Sequence, residues 1–239
     1  MEELRERLIV ALDVSSAAAA RRIVAALGDS VSTYKVGMQL YTAEGPGVVR
    51  ELVASGKQVF LDLKYHDIPN TVAAAVKEAA ALGVSMLTVH ASGGRKMLDA
   101  AVRAALEANP ALMVLAVSVL TSFSDEDLGE IGAQGPIRGQ VLRLSGMALD
   151  SGCHGIVASA QEAPALRDRL GSKFALITPG IRPRGAGHDD QARVVTPAEA
   201  IAAGASHIVV GRPITGAANP SAAAKEILGE ISLLAVNSR

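Results

Sequence analysis

Short apolar runs and longer alanine-rich amphipathic stretches alternate along the whole chain. The apolar runs are LIVALDV (8–14), TYKVG (33–37), QVFLDLK (58–64), MLTVHA (86–91), MVLAVSVL (113–120), GIVAS (155–159), FALITPG (174–180) and HIVVGR (207–212). Helical patterns follow them over 16–27, 44–55, 69–82, 94–108, 137–151, 161–170, 197–203 and 220–235. Runs that are apolar throughout belong to strands buried on both faces, and strand–helix alternation makes those strands parallel. Eight such units in 239 residues predict a (β/α)8 TIM barrel over 1–239 as a single domain, close to the usual size of about 250 residues for that fold. A doubly wound open sheet is the alternative, although its first strand–helix turn would lack the G-x-G-x-x-G of a dinucleotide fold. The one long irregular stretch is PGIRPRGAGHDDQARV (179–194). Loops of this length usually carry function, so a lid is expected around 181–193.

Composition narrows the partners. Apolar residues make up 49%, aromatics 3%, and the formal net charge is -1. Without a basic surplus or stacking platforms, no nucleic-acid partner is expected. The opening MEELRERL has no apolar secretory segment, no run approaches the ~20 residues of a membrane span, and Cys153 is the single cysteine. The expectation is a soluble, cytoplasmic protein with no membrane partner.

The polar residues collect where catalytic groups sit in barrels, at the C-terminal ends of strands. Asp13 and Lys35 close the first two runs, Asp62 and Lys64 the third, and Asp67 follows. His90 and Ser92 close the fourth, and Ser118, Thr121 and Ser122 the fifth. Burying charge is costly unless it is paired or used. Asp62 and Lys64 are two residues apart and so share a strand face, which predicts an alternating array with Asp13 and Lys35. Arg182 follows the seventh run, and Gly211 and Arg212 end the eighth. Glycine and arginine before a helix start there make a phosphate site: the glycine permits close approach and the guanidinium offers a bidentate fork.

The segments ALDV, YKVG, FLDLKYHDIPNTV, VHASGG, VSVLTS, TPGIRP and VVGRPIT, in this order between residues 8 and 216, resemble the orotidine 5′-phosphate decarboxylases of the bacterial type. D-x-K-x-x-D alone is shared with related sugar-phosphate enzymes; DLKYHDIPNT together with TPGIRP is far more specific. The resemblance implies a homodimeric, cofactor-free and metal-free enzyme that converts orotidine 5′-monophosphate to UMP and CO2, the last step of pyrimidine synthesis. By its motifs, Asp13 and Lys35 would hold the ribose hydroxyls and the charge array. Asp62 would face the substrate carboxylate, and Lys64 would deliver the proton to C6. Asp67, with Ile68 and Thr71, would reach into the partner subunit's site. Thr121 would lie near the pyrimidine, and Arg182, Gln191, Gly211 and Arg212 would surround the phosphate.

Other readings stand beside this one. A magnesium-dependent sugar-phosphate decarboxylase or synthase on the same barrel would explain the shared motif but not DIPNT or TPGIRP. A silent phosphate-ligand binding protein would be expected to carry a damaged array, and this one is intact in sequence. Asp62 and Lys64 as a purely structural ion pair is the weaker reading at a strand end. Lys35 with Asp13 is evenly balanced before the resemblance is considered. His90 is expected to be a satisfied polar contact, since no second histidine sits at a matching strand end to make a metal site. His66, His154, His188 and His207 read as surface or packing residues, Arg184 and Arg193 as solvated lid charges, and Cys153 as a small core residue.

Overall fold

The computed structural model describes residues 5–183 and 195–237. Eight parallel strands close into a barrel in chain order: β1 Leu8–Ala11, β2 Thr33–Gly37, β3 Gln58–Tyr65, β4 Met86–His90, β5 Met113–Val117, β6 Gly155–Val157, β7 Ala175–Thr178 and β8 His207–Val210. The seam pairs Leu8 with Ile208 and Val10 with Val210. The helices are α1 Ala17–Leu27, α2 Met38–Glu44, α3 Gly47–Ala54, α4 Pro69–Ala81, α5 Arg95–Ala108, α6 Asp125–Glu130, α7 Ile137–Asp150, α8 Ala163–Leu170, α9 Pro197–Ala202, α10 Arg212–Thr215 and α11 Pro220–Asn237. The expected (β/α)8 TIM barrel is therefore the fold, and the open-sheet alternative is not.

Strand parity divides the apolar residues into two sets. Ile9, Ala11, Phe60, Met86, Leu115, Ile177 and Val209 point inward and fill the barrel. Residues of opposite parity, such as Val10, Tyr34, Val36, Leu61, Leu87 and Val114, pack outward against the helices. This is why the strands read as continuous apolar runs. The inward file turns polar toward the C-terminal mouth. Along β2 it reads Thr33, Lys35, Gly37; the register sets Lys35 beside Ala11 and Gly37 beside Asp62.

Strand ends are shorter than the apolar runs suggest. The first run ends at Ala11 rather than residue 14 and the fifth at Val117 rather than 120, because the polar tails leave the ladder as loops. The helix expected over 44–55 is α3, and a separate helix α2 precedes it where none was expected; Gly45 with φ 65 and Pro46 end one and begin the other. The unforeseen α6 starts from a capping box in which Ser124 and Asp127 each satisfy the other's backbone N–H. Among the described residues, no helix is long and apolar enough to cross a membrane. Cys153 is buried, and burial pushes its thiol up to about 12, which fits a core residue and not a nucleophile.

Gly155 sits at a tight point of the barrel wall. It pairs with Ala175, and a Cβ there would overlap the Ala175 carbonyl and come within 2.9 Å of Leu115 Cδ2. Backbone cannot yield as a flexible side chain can. Gly155→Ala should therefore cost about 1–3 kcal/mol by overpacking, read as a melting temperature lowered by roughly 2–10 °C for a chain of this size; an unchanged melting temperature would mean the wall is more compliant than its packing implies.

Candidate active site

Four charged side chains from three adjacent strands meet at the C-terminal mouth. Lys35 Nζ donates to Asp13 Oδ1 at 2.8 Å and lies 3.7 Å from Asp62 Oδ2. Lys64 Nζ reaches both oxygens of Asp62 at 2.9 Å. The order is Asp13–Lys35–Asp62–Lys64, with the sign alternating at each step. Exposure is graded: the side chains of Lys35 and Asp62 are 11% and 14% exposed, that of Lys64 25%, and that of Asp13 53%. The most desolvated members are those with a charge on either side, which is what makes their burial tolerable.

Lys64 does not arrive at the array by regular strand geometry. It is the only non-glycine among the described residues with positive φ, at 54°. Such a conformation costs about 1–3 kcal/mol and persists only where its surroundings impose it. Between Leu61 and Tyr65 the pairing to β4 shifts: β3 advances four residues while β4 advances only from Leu87 to Val89. The resulting bulge turns Lys64 back over Asp62. The two residues do end in one cluster, as their spacing predicts, but through a bulge and not through plain alternation.

The remaining expected residues fall into two groups. Asp67 and Ile68 lie on the exposed loop after β3, where Asp67 Oδ1 accepts from the Ile68 N–H at 2.6 Å. Ile68 is 67% exposed, and Thr71 is exposed in the first turn of α4. Neither Asp67 nor Thr71 makes a described contact with the array of its own chain. Arg182, Gly211 and Arg212 line a cavity of about 450 Å³ together with Asp13, Gln39 and Ile181. Arg182 is buried, and its backbone N–H donates to Val195 O at 3.1 Å. Arg212 is exposed. The cavity thus runs from the Asp13 end of the array to two guanidinium groups. Thr121 is half-buried in the loop after β5. Gln191, the most of the expected lid, Arg184, His188 and Arg193 lie outside the described residues.

Three features of the mouth were not foreseen. Gln39 enters the cavity from the first turn of α2. Thr88, inward on β4, donates its hydroxyl to Asp62 Oδ1 at 2.9 Å. His90 departs from expectation: its Nδ1 is buried with no hydrogen-bond partner, because its near neighbour is another ring, His66, at a centroid distance of 5.5 Å. Burial first, then His66 and the Lys64 ammonium, hold the His90 imidazole below its ordinary value, with Asp62 opposing them. The neutral ring therefore adds no positive charge beside Lys64 at neutral pH. Among the described residues, no three His, Cys, Asp or Glu side chains cluster in the manner of a metal site.

Gly37 is held to glycine by the array itself. A Cβ would sit 2.9 Å from Lys35 Nζ and 3.1 Å from Asp13 Oδ1. Both atoms are ends of side chains, so the fold can accommodate alanine by displacing the ammonium. A displacement near 1 Å can cost about 100-fold in rate. Gly37→Ala should keep a native melting temperature while kcat falls by roughly 10–100-fold; unchanged turnover would show that Lys35 does not need its present position.

Comparisons with known proteins bear on the family and the fold. A model of the orotidine 5'-phosphate decarboxylase / HUMPS family matches residues 6–227. The chain is 52% identical over 226 residues to the orotidine 5'-phosphate decarboxylase of Halorhodospira halophila, covering 95% of this chain and 96% of that one. It is 51% identical over 225 residues to that of Hahella chejuensis, covering 94% and 97%. The crystal structure of orotidine 5'-phosphate decarboxylase from Lactobacillus acidophilus superimposes with a TM-score of 0.85 at 40% identity, over 95% of this chain and 99% of that one. The likeness thus runs along nearly the full length of the chain, and the chain belongs to the orotidine 5'-phosphate decarboxylase / HUMPS family.

Proposed function

We propose that this chain is an orotidine 5′-phosphate decarboxylase, which removes CO2 from C6 of orotidine 5′-monophosphate to leave UMP. The observation that carries the reading is the pairing of Lys64 Nζ with both Asp62 oxygens at 2.9 Å, at the mouth whose opposite side carries Arg182 and Arg212. Breaking the C6–carboxylate bond leaves an electron pair on a carbon with no adjacent carbonyl to accept it. An ammonium held beside C6 stabilises that charge as it develops, by a preorganised electrostatic interaction. Lys64 then gives its proton to C6 and regains one from solvent. Asp62, facing the substrate carboxylate, disfavours the bound ground state and fixes the Lys64 ammonium in place. Lys35 and Asp13 complete the array and hold the ribose hydroxyls.

Enzymes lower barriers by about 8–23 kcal/mol, more than one ion pair contributes. The phosphate supplies the remainder from a distance: its contacts with Arg182, Gly211 and Arg212 hold the nucleotide so that its carboxylate is driven against Asp62. Binding energy at the non-reacting end is thereby used at C6. In this reading Thr121 lies near the pyrimidine. No metal or cofactor takes part. The protein is a cytoplasmic homodimer in this reading; the apolar side chain of Ile68, 67% exposed beside Asp67 in sequence, supports the dimer. In that dimer, Asp67, Ile68 and Thr71 complete the partner's site.

The test is loss of orotidine 5′-monophosphate absorbance on mixing with purified protein after exhaustive EDTA treatment. Turnover should persist. Absence of turnover, or a loss restored by magnesium, would overturn the reading in favour of a metal-dependent relative. Lys64→Ala should lower kcat by about 10²–10⁴-fold or more, the range of a positioned proton donor, while UMP still binds; near-normal turnover would remove Lys64 from its role.

The dimer has a separate test. Lys64→Ala and Asp67→Asn, each nearly inactive alone, are mixed and allowed to exchange subunits. If Asp67 acts across the interface, each hybrid contains one site with both substitutions and one with neither, so activity reappears. If exchange is confirmed by mass and no activity returns, Asp67 acts within its own chain.

A further inference from the structure

Lys64 stands in a backbone conformation that lysine does not favour, at a bulge where its ladder to β4 is interrupted. Something must take the amide that the ladder has released, and something must hold the Asp62 carboxylate at the angle that receives Lys64. One atom does both. Thr88 Oγ1 accepts the backbone N–H of Lys64 at 2.9 Å and donates its own proton to Asp62 Oδ1 at 2.9 Å. Thr88 is 1% exposed and inward on β4, and it does not line the cavity that leads to the arginines.

We propose that Thr88 is a positioning residue of the decarboxylation, acting as a hydroxyl bridge that couples the strained backbone of Lys64 to the orientation of Asp62. The inference rests on the function proposed above. A carboxylate accepts only, and a backbone N–H donates only. The group between them must therefore donate on one side and accept on the other, from a single atom short enough to fit inside the barrel. A threonine hydroxyl meets that requirement; valine, of the same shape, does not. Without the bridge, the Lys64 amide is left unsatisfied in a half-buried place, the backbone relaxes away from positive φ, and Asp62 loses one of the bonds that fix its plane. The ammonium at the end of Lys64 moves with both. The nucleotide's phosphate contacts lie elsewhere and are untouched.

The experiment compares Thr88→Val, Thr88→Ala and Thr88→Ser with the unsubstituted protein in EDTA-treated buffer. Turnover by the unsubstituted protein is the control for the parent reading: if it is absent, that reading fails, whatever the variants do. Given turnover, Thr88→Val should lose about 10–100-fold in kcat with KM and UMP affinity within about threefold. Thr88→Ser, which restores the hydroxyl but not the methyl, should recover to within about threefold. The proposal is overturned if Thr88→Val keeps its kcat, if the loss falls on KM instead, or if Ser is as impaired as Val, which would assign the effect to packing of the methyl. Thr88→Ala covers the case in which valine does not fold: it should show the same kcat loss. If Val and Ala both fail to fold while Ser folds, the hydroxyl is a requirement of the barrel and its positioning role is likewise overturned.

Discussion

Asp62 stands between two ammonium groups, one of which it shares with Asp13. One carboxylate faces two ammonium groups, at 2.9 and 3.7 Å, and also takes the Thr88 hydroxyl, while only 14% of its side chain meets solvent. Removed from water, such a group would be severely destabilised unless every lone pair found a partner. The rest of the mouth follows from that requirement. β2 must bring Lys35 to one side, β3 must double back to bring Lys64 to the other, and Gly37 must stay without a side chain so that Lys35 can reach across to Asp13.

The same concentration explains the division of the site. Charges of both signs are packed by the neighbouring strands β1 to β3, whereas Arg182 and Arg212 follow β7 and β8. In the closed barrel β8 lies next to β1, so the two ends of the chain bring the two ends of the site together. A ligand with a phosphate at one end and a carboxylate at the other therefore meets the arginines at one side and the Asp62–Lys64 pair at the other. Its position is decided by which interaction the protein holds more rigidly.

The strand–helix alternation and the clustering of polar residues at strand ends were legible because both arise from burial, which leaves a periodic trace in the letters. The Asp62–Lys64 spacing identified the cluster, yet the geometry that forms it was not readable. Nothing in the letters of DLK marks a lysine with positive φ, because the conformation is imposed by β4 and not by local preference. Thr88 escaped notice for a related reason. A threonine within MLTVH reads as an ordinary strand former, and its second role exists only once Asp62 and the Lys64 amide stand opposite. The Ser124–Asp127 capping box, by contrast, is a local signal that was present and passed over. Gly45–Pro46 is another such signal, separating α2 from α3.

The seam between β1 and β8 also sets an order of events. Leu8 and Ile208 are neighbours in the barrel although two hundred residues separate them. During synthesis β1 leaves the ribosome early and waits with one edge unpaired until β8 follows. Until then Ile9 and Ala11 lack Val209 as an inward neighbour, and Asp13 lacks the Gly211 backbone beside it. The charged mouth is consequently open to water for most of the chain's manufacture. Its low-dielectric interior comes into being with the last strand, so a chain truncated before β8 carries the array residues without the desolvated setting that gives them their chemistry.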